Sequence, residues 1–160
     1  MPLHIDINYV FSIAFPNERH MNRLQRLADM AVRIASEEAV EINDVGFTLN
    51  VQDVQLMFFT PNSDTAPAYC RALIGKLGNS ECPGDFAEAA LTANFFWRAT
   101  EGAILSLNEQ ENAVYLTDRF DEGAFEDEDA FTDYINTFLR NVYDWQLHFA
   151  NYIDAKEETK

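Results

Sequence analysis

The sequence predicts an α+β fold, a twisted and mostly antiparallel sheet with three helices in the order α-β-β-β-α-β-β-α. Three observations carry this. Apolar residues recur at spacings of three and four in three separate stretches, which begin near residues 18, 86 and 131. Between them lie runs of strand-like sequence, three before the second helix and two after it. The links between consecutive strands are short turns, and short turns join antiparallel neighbours.

Residues 1–17 read as an N-terminal extension, in which residues 3–15 mix strand formers with partial alternation and stop at Pro16-Asn17. A single domain is expected over 18–153, followed by a flexible charged tail over 154–160. The first helix is expected from Glu18 to Ala39, with Leu24, Leu27, Ala28, Ala31, Ile34 and Ala35 at helical spacing. Wound at 100° per residue, its apolar arc spans roughly 200°, with Met30 at one edge and Met21 and Val32 at the other. That is wider than one packed layer needs.

Val45, Phe47, Leu49 and Val51 alternate with smaller or polar residues, as in a half-buried strand. From Val54 to Thr60 both faces are apolar, with Val54, Leu56 and Phe58 on one and Met57 and Phe59 on the other. A third strand over 69–77 sets Cys70, Ala72 and Ile74 against Tyr69, Arg71 and Leu73. Turn residues follow, and Pro83 marks a helix start. The second helix is expected from Phe86 to Ala99, ending at Gly102, with Ala89, Ala90, Ala93, Phe96 and Trp97 near one another. A hairpin over 103–117 and an acidic stretch from Asp118 to Asp129 lead to the last helix. There Phe131, Ile135, Phe138, Val142, Trp145 and Phe149 line one face.

The chain has 160 residues, 27 acidic against 11 basic, and a formal charge of -16. Phosphate backbones and anionic lipid surfaces repel such a surface, so neither nucleic acid nor membrane is expected as a partner. With 48% apolar residues the chain can bury a core. Two cysteines, without CxxC spacing, point to a reducing compartment, and the short interrupted apolar run from Tyr9 to Phe15 fails as a signal peptide or membrane span. A cytoplasmic location is expected.

Candidate chemistry is sparse. His4, His20 and His148 are scattered over different elements. Aligning Gly123 to the sixth position of a calcium loop puts Phe120 where an oxygen ligand is required, so that reading fails. Acidic residues at a helix N-terminus explain the stretch more simply. Phosphate-loop, GxSxG and HExxH motifs are absent. No cofactor, metal or enzymatic activity is expected. The surplus of apolar surface instead favours a protein that binds other polypeptides.

Residues 91–107, LTANFFWRATEGAILSL, carry a resemblance. A helix bearing Leu91, Ala93, Asn94, Phe95 and Phe96 runs into a turn with Thr100 and Gly102 and then into a strand over 103–107, which resembles the class I type III secretion chaperones of bacteria. Glu101 stands where that turn commonly has a small residue. The element order over 19–152 agrees as well, including Trp145 in the last helix. The resemblance implies a homodimer in the bacterial cytoplasm that binds the N-terminal segment of secreted effectors, keeps it secretion-competent and delivers it to the export apparatus. It places dimer contacts near Ala89, Ala90, Ala93, Phe96 and Trp97, and effector contacts at the outward residues Met30, Val32, Met57, Phe59, Tyr69 and Leu73. Competing readings are a chaperone-like regulatory domain without a secretion role, an acidic nucleic-acid mimic, and a small hydrolase using a carboxylate pair. A mimic needs carboxylates spaced along a ridge, whereas here they cluster.

Overall fold

In the computed structural model the described residues are 18–43, 45–60, 67–78, 82, 84–97 and 99–157. Among them the order is α1 (Glu18–Ile34), β1 (Val40–Asn43), β2 (Gly46–Val51), β3 (Val54–Phe59), β4 (Ala68–Lys76), α2 (Gly84–Asn94), β5 (Ile104–Asn108), β6 (Ala113–Phe120) and α3 (Glu128–Glu157). The strands form one six-stranded sheet in the spatial order β1-β2-β3-β4-β6-β5, with every neighbour pair antiparallel. None of the described helices is long and apolar enough to cross a membrane.

All three helices contact the sheet, α1 at β2, α3 at β4 and α2 at β5. The core lies beneath them. Phe47, Leu49, Leu56, Phe58, Cys70, Ala72 and Leu116 rise from the sheet to meet Phe131, Ile135, Phe138, Val142, Trp145 and Phe149 of α3, all buried. Each large side chain removed from water in this way contributes about 1.5–3 kcal/mol. Gly75 lets α3 approach, because a Cβ there would overlap the Phe149 ring.

The predicted architecture is present, with one strand more than the pattern suggested. The first helix, expected to reach Ala39, instead ends at Ile34; Glu37–Ala39 make a 3-10 turn, and Val40–Asn43 beyond it form the edge strand β1. Its pairing of Val40 with Leu49 and Ile42 with Phe47 depends on β2, which a local helical period does not register. At the other end of the chain α3 runs to Glu157, into the stretch read as a flexible tail. Tyr152 and Ile153 pack against the core, Tyr152 meeting Phe86 edge-on, and helix-favouring Ala155, Lys156 and Glu157 continue the turn. The extended segment expected over residues 3–15 lies outside the described residues.

The second helix is also shorter than its pattern implied. It ends at Asn94, and Phe95–Trp97 form a 3-10 turn in which Phe96 and Trp97 adopt φ of 62° and 53°. Each such left-handed residue costs about 1–2 kcal/mol, so tertiary contacts must hold the segment. Trp145 Nε1 donates to the Ala99 carbonyl at 3.1 Å, and Asn141 Nδ2 donates to the Thr100 carbonyl at 2.6 Å.

Candidate functional site

No described element packs on the sheet face opposite the helices. Antiparallel register turns that face into rows. One row runs Glu41, Thr48, Met57, Arg71, Thr117, Ile104 across all six strands. Beside it run Phe59, Tyr69 and Arg119, and on the other side Leu73, Tyr115 and Ser106. Met57, Phe59, Tyr69 and Leu73 are thus brought onto one surface, each half-buried. Phe59 and Tyr69 stack with centroids 5.5 Å apart. Arg71 lies 4.6 Å from the Tyr115 ring centre and 5.7 Å from that of Phe59, and its Nη2 donates to Met57 Sδ at 3.6 Å.

Met30 and Val32 are not part of this surface. They sit on α1, which covers the helix side of the sheet. The outward position expected of Met30 is incorrect: only 2% of it is exposed, because α1 is flanked by both the sheet and α3. Buried Leu24, Leu27, Ala28, Met30 and Ala31 span roughly 160° of the helix at 100° per residue, so the broad apolar arc serves two packing interfaces. Val32, at its edge, is half-buried.

A second apolar surface surrounds the end of α2. Leu91, Phe95, Phe96 and Trp97 are exposed, Phe96 by 69% and Trp97 by 53%. In the edge strand β5, Ile104 on the outer face and Leu107 on the opposite one are exposed as well. Ala89 and Ala90 are half-buried, and Ala90 packs on the core. Ala93, expected among the dimer contacts, is 5% exposed and belongs to the protomer's own core. Ala89, Phe95 and Phe96 face Trp145 and Tyr152 of α3 across an open groove.

The acidic stretch is spent on local structure. Asp121 accepts from the Gly123 amide and Asp127 from the Ala130 amide, which caps α3. Arg33 pairs with Glu128, and Arg26 binds the carbonyls of Phe125 and Glu126 at 3.0 and 2.9 Å. Among the described residues no three His, Cys, Asp or Glu side chains are grouped to hold a metal. Asp118 faces the core side of β6, paired with Cys70, and its Oδ2 accepts from the Tyr134 hydroxyl at 2.9 Å. Burial raises the Asp118 carboxyl above its ordinary range, while the bonds from Tyr134 and the Arg119 amide pull it back. Burial likewise pushes the Tyr134 phenol and the Cys70 thiol upward, so both stay protonated.

Strand alternation sets Arg71 on the face with Tyr69 and Leu73 without assigning it a role, and local pattern does not make Tyr115 its neighbour. The signal for Arg71 was a lone cation alternating within an apolar strand. Tyr115 becomes its neighbour only through the β4–β6 pairing, which spans more than a helix and a strand of intervening chain.

Comparison with known proteins agrees with this architecture. The model of the Tir chaperone protein (CesT) family matches residues 38–146. Among curated proteins no relative matches the chain. Among solved structures, one described as the crystal structure of the ExsC-ExsE complex matches with a TM-score of 0.61 at 12% identity, covering 79% of this chain and 95% of the other. A second, described as the HopA1-SchA chaperone-effector complex, matches with a TM-score of 0.57 at 14% identity, covering 81% and 95%. At such identities the likeness is one of fold.

Proposed function

The chain belongs to the Tir chaperone protein (CesT) family, and from that membership we propose that it is a type III secretion chaperone which binds the N-terminal segment of one or more secreted effectors in the bacterial cytoplasm. The observation that carries this reading is the outer sheet face, where Met57, Phe59, Tyr69 and Leu73 form a half-buried apolar surface on which no described element rests. An extended client loses backbone entropy on binding, so its host must offer a long shallow surface. A six-stranded sheet provides one. The fold is shared with a protein solved in a chaperone-effector complex, which supports the same role here.

The working unit in this reading is a homodimer, formed through Phe96, Trp97 and the neighbouring face of α2 about Ala89 and Ala90, with the edge of β5 alongside. Two apolar surfaces per protomer would invite aggregation. A charge of -16 opposes it by repulsion between dimers. Delivery of the client to the export apparatus requires no catalytic step by the chaperone. The test is co-purification with proteins encoded beside the gene. Retention of a neighbour's N-terminal segment supports the reading, and a monomer that retains none contradicts it.

A further inference from the structure

Arg71 is anomalous in a protein where acidic residues outnumber basic ones 27 to 11. Its half-buried guanidinium has no carboxylate within ion-pair distance among the described residues, although Arg33 and Arg140 pair with Glu128 and Glu101. It is held instead by the Tyr115 and Phe59 rings and by Met57 Sδ. Arginine carries five N–H donors in a planar fork, and the sulfur contact engages one nitrogen. A partly desolvated cation without a counterion is costly unless one arrives. Glu111, in the turn before β6, accepts from the Tyr115 hydroxyl, and Glu41, the acid in the Arg71 row, lies on the far edge strand. Arg119, opposite Tyr69 in β6, adds a second positive charge to this face.

We infer that Arg71 anchors a carboxylate side chain of an extended polypeptide lying across the outer face, an inference that rests on the client-binding reading above. Alternate residues of an extended segment face the sheet. The client sequence that fits therefore carries Asp or Glu flanked at two-residue spacing by apolar residues, the acid meeting the guanidinium and the apolar neighbours meeting Met57, Phe59, Tyr69 and Leu73. The rings hold the fork flat and reduce the rotamer freedom lost on pairing. Specificity follows from charge as well as area, because an apolar segment lacking the acid leaves the cation unpaired.

The experiment is a mutant cycle on the full chain. Its probes are overlapping synthetic peptides from the N-terminal segments of proteins encoded beside this gene. Each acidic residue of a binding peptide is replaced by its amide and tested against wild-type, Arg71→Gln and Arg71→Lys protein. One acidic position should weaken wild-type binding about tenfold or more and leave Arg71→Gln binding unchanged, with Arg71→Lys between them. If peptides bind, Met57→Glu removes them, and no acidic position couples to Arg71, the inference is overturned while the client reading stands. Binding by no peptide removes both. Residues 1–17 contain one acid, Asp6, and a parallel cycle between Asp6→Asn and Arg71→Gln, read as thermal midpoints of the free protein, should show additivity. Coupling there would assign the carboxylate to this chain's own N-terminal segment and overturn the inference.

Discussion

The side-chain amide of Asn94 binds the main chain of Leu105 on both sides, its Nδ2 donating to the Leu105 carbonyl and its Oδ1 accepting from the Leu105 amide, each at 2.9 Å. The last residue of α2 thereby pairs with the edge strand β5 as a neighbouring strand would, at a single residue. This explains why a helix-terminating asparagine precedes the exposed aromatics. It fixes the end of α2 against β5 and sets the direction in which Phe95, Phe96 and Trp97 leave it.

Replacing Asn94 with Ala removes both bonds and leaves two main-chain groups to find water. A loss of about 1–3 kcal/mol in urea unfolding is expected. Asn94→Asp should be no milder, because a carboxylate cannot donate to the Leu105 carbonyl. Equal stability of all three proteins would show that the pairing contributes nothing.

Gly46 faces main chain, since a Cβ there would overlap the Phe58 carbonyl, whereas at Gly75 it would overlap the Phe149 ring. Backbone cannot give way as a side chain can. Gly75→Ala should therefore be partly rescued by Phe149→Leu, with a double variant more stable than the sum of single losses by about 0.5–3 kcal/mol. Gly46→Ala should gain nothing from the same change.

Burial raises the Asp118 carboxyl, so the native state binds its proton more tightly than the unfolded chain. The contribution of this group is greatest below the ordinary carboxylate range and falls as pH rises through the raised native value. Asp118→Asn keeps an acceptor for Tyr134 and deletes that titration. Relative to the parent, the variant should gain stability as pH rises above the ordinary Asp value of about 4 and through the raised native one. A relative loss over that interval would reverse the sign of the argument.

Phe96→Glu or Trp97→Glu places a charge on the exposed apolar surface at the end of α2. Sedimentation should then report folded monomers whose thermal midpoint no longer rises with protein concentration. A dimer in either variant would contradict the proposed interface.

Much of this was legible from local pattern. The α3 stripe from Phe131 to Phe149, the two-faced β3 and the alternation of β4 are set by side-chain period, and the structure buries each inner face as the period requires. What local pattern could not supply came from long-range pairing. β1 exists because β2 is there to receive it, α2 stops early because Asn94 finds Leu105, and Met30 is buried because α3 lies beside α1. The outer face shows both sides of this. Met57, Phe59, Tyr69 and Leu73 followed from alternation, while the seat of Arg71 against Tyr115 needed the β4–β6 register.

The central claim is that the outer sheet face holds the client. Its most direct test is calorimetric titration of the N-terminal segment of a co-purifying neighbour-encoded protein into wild-type and Phe59→Glu chaperone. The account predicts that Phe59→Glu weakens binding by at least about tenfold, a loss of about 1.4 kcal/mol or more, while oligomeric state and thermal midpoint stay those of the wild type. Undiminished affinity in a folded Phe59→Glu protein would contradict it.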